Sequence, residues 1–330
     1  MRIGFSLNKS NSGPALFLKK LQISFEELQI AKTSYCFDPR VSCNVFANKV
    51  YRFWNKPYVF RVDGISFDLA MPKEQLKEQN EMMKKGIGES LGVVYQSEFS
   101  KKMVESILEL TPQNHEIIIN GTDLKEFTPI GNNVREELEI PEDAFVFITS
   151  AKWRTHKRLH DIIETFIRYK KTTEKQVYLL IIGDTSTVLK HKIAEKNIIY
   201  IDFIPNTELP KYLRTANCYL FLSWLEACPN SVVEAIACGL PVICSNQGGT
   251  GEIVKLTNGG IVAEADDDFN YEYTYLYNPP NVKYDVVVSV IQELVSNYDH
   301  YKRRINVEPI DINNVSRRYF EFVEKVYKKD

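Results

Sequence analysis

The chain has 330 residues, 44% hydrophobic and 25% charged, with 41 basic against 43 acidic side chains and a formal net charge of −2. That balance excludes the broad basic face that duplex nucleic acid requires, and no stretch reaches the ~20 apolar residues that span a bilayer. The length suits two hydrophobic cores rather than one.

The chain opens on IGFSL (3–7), a short apolar run that reads as a first strand and not as a signal peptide. It turns through NKSNSG and enters a helical pattern at Pro14 (PALFLKKLQISFEEL), with Gly13 just before the helix start. Strands are expected at TSYCF (33–37), KPYVFRV (56–62), LGVVYQS (91–97) and HEIIIN (115–120), with a polar helix at PKEQLKEQNEMMKKG (72–86) between them. The stretch GTDLKEFTPIGNNVREELEIPED (121–143) has turn residues and little periodicity, so it is expected to be the inter-domain linker.

A second series follows. It takes a strand at AFVFITS (144–150), a helix at RLHDIIETFIRYKK, a strand at VYLLIIGD (177–184) and a helix around VLKHKIAEK. Then come the strand IIYIDF, a short helix ELPKYLRTA, and the strand NCYLFLS (217–223). The helix SVVEAIACG, the strand PVICS and the strand GGIVA complete it. Apolar strands alternating with helices imply parallel sheets covered on both faces. The expected class is therefore α/β, two Rossmann-like domains across a central cleft, with ligands at the carboxyl ends of the strands. The boundaries expected are 1–128 and 129–313, with a last helix, about 314–330, returning to the first domain.

The acidic, tyrosine-rich segment ADDDFNYEYTYLYNPPN is expected to be a surface loop. Residues 1–125 carry 17 basic and 14 acidic side chains and the remainder 24 and 29, which permits contact of the first domain with anionic lipid or an anionic acceptor. The six cysteines form no C-x-x-C pair and have no accompanying histidine cluster, so buried thiols are expected rather than zinc. A cytoplasmic chain is the expectation, with peripheral contact at the inner membrane face as an option.

The densest chemistry lies in SWLEACPNSVVEAIACGLPVICS, where Glu226 and Glu234 flank Pro229 and Asn230. Pro229 and Asn230 suit a helix start and Gly239 its end. Glu234 then falls in the first turns and Glu226 on the loop that feeds them. The free N–H groups of such a start favour a phosphate, and carboxylates beside it suit neutral sugar hydroxyls. A solvated Glu226 and a Glu234 that merely faces the helix dipole fit the spacing as well.

SWLEACPNSVVEAIACGLPVICSNQGGTGEIV resembles the signature of the family-four retaining glycosyltransferases of GT-B fold, with its E-x7-E, P-N, E-A-x-A-x-G-x-P-V and G-G-x-x-E-I-V elements in order. NGTDLKEFTP resembles that family's N-G-x-D-x-x-x-F-x-P, and SAKWRTHKRLHDIIETF its G-R-x-x-x-x-K element. The resemblance implies that Glu234 holds the donor ribose, Glu226 the transferred sugar, and the backbone of Cys228, Pro229, Asn230, Ser231 and Val232 the sugar and diphosphate. Lys157 stands at the family's Lys and Lys152 where it has Arg; both would neutralise the leaving diphosphate, Lys152 without the bidentate fork of Arg. The base is expected near Asp184 and Ile204.

Asp63 occupies the place of the family's His, where it would accept from a sugar or acceptor hydroxyl, act as base for the acceptor, or cap a helix or turn beside Gly64, and Gly13 leaves room for phosphate or acceptor. No cofactor and no metal are expected, the nucleotide-sugar being a substrate. The implied function is transfer from a nucleotide-diphosphate sugar to a glycan, lipid-linked or other hydroxyl acceptor, in polysaccharide biosynthesis or a related route. A non-catalytic nucleotide-sugar-binding protein and a nucleotide-sugar epimerase are the alternatives.

Overall fold

The computed structural model describes residues 1–6, 13–51, 55–184 and 195–329. Its contacts divide the chain into two units. The first comprises Met1–Asp123, Phe269–Leu276 and Glu308–Asp330; the second comprises Leu124–Asp268 and Tyr277–Val307.

In the first unit, β1 (Arg2–Phe5), β2 (Lys32–Tyr35), β3 (Cys43–Ala47), β4 (Tyr58–Val62), β5 (Gly92–Tyr95) and β6 (His115–Ile117) form one sheet. The order is β2-β1-β3-β4-β5-β6, and every pairing is parallel. Among the described residues, the α-helices of this unit's first stretch are α1 (Gly13–Glu27), α2 (Lys73–Gly88) and α3 (Glu98–Met103). Ile3, Phe5, Phe17, Leu21 and Phe25 pack with Tyr319, Phe322 and Val323, which belong to the chain's last helix, Ile312–Tyr327. That helix comes close over β5 because position 92 is glycine: a Cβ there would stand 2.8 Å from the Phe322 ring.

Strand β3 is absent from the sequence expectations, because Asn44 interrupts its apolar run. The sheet tolerates Asn44 by giving it space. Gly4 pairs with it across β1, and a Cβ on Gly4 would lie 2.1 Å from the Asn44 side-chain oxygen.

In the second unit, β7 (Phe145–Ser150), β8 (Val177–Ile182), β9 (Ile198–Ile201), β10 (Cys218–Phe221), β11 (Val242–Ser245) and β12 (Gly260–Ala263) form another wholly parallel sheet, in the order β12-β11-β10-β7-β8-β9. Among the described residues its α-helices are α4 (Leu159–Lys170), α5 (Leu209–Thr215), α6 (Asn230–Ala237), α7 (Thr250–Leu256), α8 (Tyr284–Ser296) and α9 (Tyr298–Arg304), and the first unit's last helix is α10 (Ile312–Tyr327). Helices α8 and α9 were not expected from the sequence. Leu159, Ile162 and Phe166 of α4 share a core with Val287, Ile291 and Leu294 of α8. The helix expected around VLKHKIAEK lies outside the described residues.

The strand order reverses between β7 and β10, so the loops leaving those two strands part to opposite faces and open a crevice at their carboxyl ends. All six cysteines are buried thiols.

One buried ion pair departs from expectation. Asp266, in the segment expected to be a surface loop, is fully buried against the guanidinium of Arg158. The contact is bidentate, at 2.8 and 3.0 Å, and the same guanidinium donates to the carbonyl of Pro280 at 2.6 Å. Of the acidic run, Asp266 alone turns inward, to the fully buried Arg158 guanidinium, while Asp267 and Asp268 stay exposed. Replacing Arg158 with Ala leaves Asp266 a buried unpaired charge. Unfolding in urea is expected to show a loss of about 3–5 kcal/mol.

Candidate active site

Strand β7 ends at Ser150 and β10 at Phe221, on either side of the crevice. Beyond β7 the chain runs to a single 3-10 turn, Thr155–Lys157. The Trp224 N–H donates to the carbonyl of His156 at 2.7 Å, which fastens this turn to the loop after β10. The tie brings the Lys157 ammonium into a hydrogen-bonded ion pair with the Glu226 carboxylate. Nε2 of His156 lies 3.4 Å from the same oxygen. Burial pushes the Glu226 carboxyl up, but the Lys157 charge and the His156 ring outweigh it and hold the group down at about 2.

The backbone of Glu226 is equally fixed. Its carbonyl accepts the Gly249 N–H at 2.7 Å. Gly248 is at φ 91°, where a Cβ would stand 2.8 Å from that carbonyl, so the Gly-Gly pair forms a shelf under Glu226.

Four residues on, helix α6 begins at Asn230 after Pro229, with no side-chain cap. Pro229 turns the chain into the helix with ψ 121°, and its carbonyl accepts the N–H groups of Val232 and Val233 at 3.2 and 3.4 Å. Cys228, Val232 and Glu234 are buried, while Asn230 and Ser231 are partly exposed. The Tyr219 hydroxyl donates to the Ser150 carbonyl at 3.0 Å and accepts the Ser150 N–H at 3.2 Å, so the ends of β7 and β10 move as one.

Beside this arrangement, a pocket of about 410 Å³ opens at the carboxyl ends of β7, β8 and β9. Lys152, Gly183, Asp184, Ile204 and Asn206 are among its lining residues. Gly183, at φ 128°, lets the chain pass the Ala151 carbonyl, which a Cβ would approach to 1.9 Å. The structure thus brings Asp184, Ile204 and Lys152 together, and separately gathers Lys157 and Glu226 just ahead of α6. The two lysines have different stations.

In the first unit, Asp63 follows β4 with its side chain 5% exposed. Its Oδ1 accepts from the Arg61 guanidinium at 2.8 and 2.5 Å and from the Gln96 amide at 2.7 Å. Oδ2 is buried and has no hydrogen-bond partner among the described residues. Arg61 is itself 1% exposed, lies over the Phe17 ring at 3.8 Å and donates to the Asn120 amide oxygen at 2.9 Å. Burial opposes its charge, and the facing Asp63 carboxylate and Tyr319 hydroxyl more than offset that, so its pKa is raised.

Asp63 therefore holds Arg61 through Oδ1, a contact the sequence reading did not include beside the acceptor contact or turn cap it suggested. Arg61 was legible: residues two apart on a strand share a face. A hollow of about 880 Å³, lined in part by Asp63, Gly64 and Pro14, opens alongside. Gly13 is the exposed first residue of α1. His156 was the residue missed at Glu226; it sits in the basic run T-H-K-R, which gave no sign of which member turns inward.

The folded-state pKa of Glu226 is depressed from 4.5 to about 2, so its contribution to stability is present above about 4.5 and is lost as pH falls towards 2. The difference in melting temperature between the wild type and Glu226→Gln is expected to shrink over that window, as a scanning-calorimetry pH series would show.

Residues 132–277 match the family described as Glycosyl transferases group 1. An uncharacterized glycosyltransferase, MJ1059 of Methanocaldococcus jannaschii, is 29% identical over 165 residues, 47% of this chain and 39% of that protein. The alpha-monoglucosyldiacylglycerol synthase of Acholeplasma laidlawii is 28% identical over 157 residues, 44% of this chain and 39% of that protein. The matched region thus spans about two fifths of the length of these relatives.

Among solved structures, sucrose-phosphate synthase from Thermosynechococcus elongatus superimposes with a TM-score of 0.73 at 13% identity, over 100% of both chains. Anabaena HepE in complex with UDP superimposes at 0.70 and 12% identity, over 98% of this chain and 99% of that one. These likenesses show the fold. The region that matches the glycosyl transferases group 1 model thus lies mostly in the second unit, within a chain of two Rossmann-like units of GT-B fold.

Proposed function

We propose that the chain transfers a sugar from a nucleoside-diphosphate sugar to a hydroxyl acceptor, with retention at the anomeric carbon and without a metal ion. The meeting of Lys157 with Glu226, four residues ahead of an uncapped helix start, carries this reading. An ammonium beside a helix start that has no side-chain cap suits a diphosphate, and a depressed carboxylate suits neutral sugar hydroxyls.

In this reading the nucleobase enters the pocket lined by Asp184 and Ile204, and Glu234 takes the ribose hydroxyls. The backbone from Cys228 to Val232 meets the sugar and diphosphate, and Glu226 the transferred sugar. Lys152 and Lys157 neutralise the diphosphate. The bond between the anomeric carbon and the phosphate oxygen breaks while the acceptor oxygen bonds that carbon. The acceptor proton passes to the departing phosphate. Charge grows on the phosphate during this step, so the two lysines act chiefly on the transition state. Complexes of HepE with UDP and with UDP-glucose make uridine donors the first to try. The name of the Acholeplasma relative makes a lipid acceptor one candidate beside glycans, and the net positive charge of residues 1–125 suits an anionic one.

A thermal-shift panel of UDP, GDP and their sugars tests the donor site. The matching nucleotide at a hundredfold excess over its Kd is expected to stabilise the protein by ~2.7 kcal/mol. Lys157→Ala is expected to lower transfer by about 10²–10³-fold, and Glu234→Ala to weaken donor binding. Wild-type transfer in both variants would overturn the assignment.

A further inference from the structure

Glu226 is met by two basic groups that are held in different ways. Lys157 reaches the carboxylate along a flexible four-carbon stem. His156 is fixed: its side chain is 9% exposed, its carbonyl takes the Trp224 N–H, and its ring packs edge-on against Tyr277 at 5.1 Å. Nδ1 is buried with no hydrogen-bond partner among the described residues, while Nε2 lies 3.4 Å from the Glu226 oxygen. With no acceptor facing Nδ1, a neutral ring carries its proton best on Nε2, the nitrogen beside Glu226. The other charged groups around the ring are Lys157 beside it and Arg158 next in the chain, the latter turned into Asp266.

A diphosphate arriving at Lys157 draws the ammonium away, and a largely buried carboxylate then loses its main compensation. We propose that His156 is the positioning residue that keeps Glu226 ionised and aimed at the sugar while Lys157 engages the diphosphate. The inference rests on the donor-site reading above. It divides the work between one partner free to travel and one that stays.

Carboxyl-carbon NMR on the full chain tests it, with the Glu226 resonance assigned by its loss in Glu226→Gln. In Lys157→Ala the Glu226 titration is expected to stay at or below its ordinary 4.5. Adding His156→Leu in that background is expected to raise it by at least about one pH unit, while adding His156→Gln, whose amide still donates, leaves it low. No change with His156→Leu would reduce the ring to packing and overturn the proposal. Should the leucine variant fail to fold, the wild type supplies the second reading: the His156 ring carbons must shift at the pH where Glu226 titrates, and their silence there overturns the proposal equally. Failure of UDP, UDP-glucose, GDP and GDP-mannose to stabilise the wild type would strike the donor reading alone, leaving the titration result standing.

Discussion

A carboxylate that stays charged while largely removed from water depends on the cations built around it, and in the second unit much of the local architecture serves that end at Glu226. Lys157 and His156 arrive from one loop, the Gly-Gly shelf supports the backbone from below, and the Trp224 N–H binds the contributing loops together. Each of these contacts lies at the carboxyl ends of β7 and β10, where the reversal of strand order leaves the only space a parallel sheet offers between diverging loops. The fold supplies the crevice; the ion pair decides what chemistry the crevice accepts.

Behind it stands a second ion pair of the same kind. Arg158, the residue after Lys157, is turned the opposite way and locked to Asp266. Adjacent residues of a tight turn point apart, so anchoring Arg158 inward presents Lys157 outward. The first unit repeats the device with Arg61 and Asp63, where Gln96, Asn120 and Tyr319 add further polar partners. In each case removal of one partner exposes the other to the full cost of burial.

The parallel sheets were legible because strands buried on both faces read as continuous apolar runs, and the α6 start was legible because Pro229, Asn230 and Gly239 punctuate it. Strand β3 was not, since a polar Asn44 in its centre is admitted only by the missing side chain of Gly4, a pairing between strands distant in sequence. The stations of the site residues were half visible. The family resemblance brought out Glu226, Glu234 and Lys157, but it gave no hint that His156 faces Glu226 or that Lys152 lines a different hollow. Those facts depend on the direction a side chain takes from a loop, which local sequence does not encode.

The first unit is assembled from three separate stretches of chain, and the last of them, α10, supplies Tyr319, Phe322 and Val323 to the core that β1 and α1 begin. During synthesis its early strands must therefore wait, with Phe5, Phe17 and Phe25 lacking their final cover, until the whole of the second unit has been translated. The second unit's principal stretch is complete far sooner. The order of maturation on the ribosome is thus inverted: the part made first finishes last, and its exposed apolar surface in the interval is where a chaperone would have its opportunity.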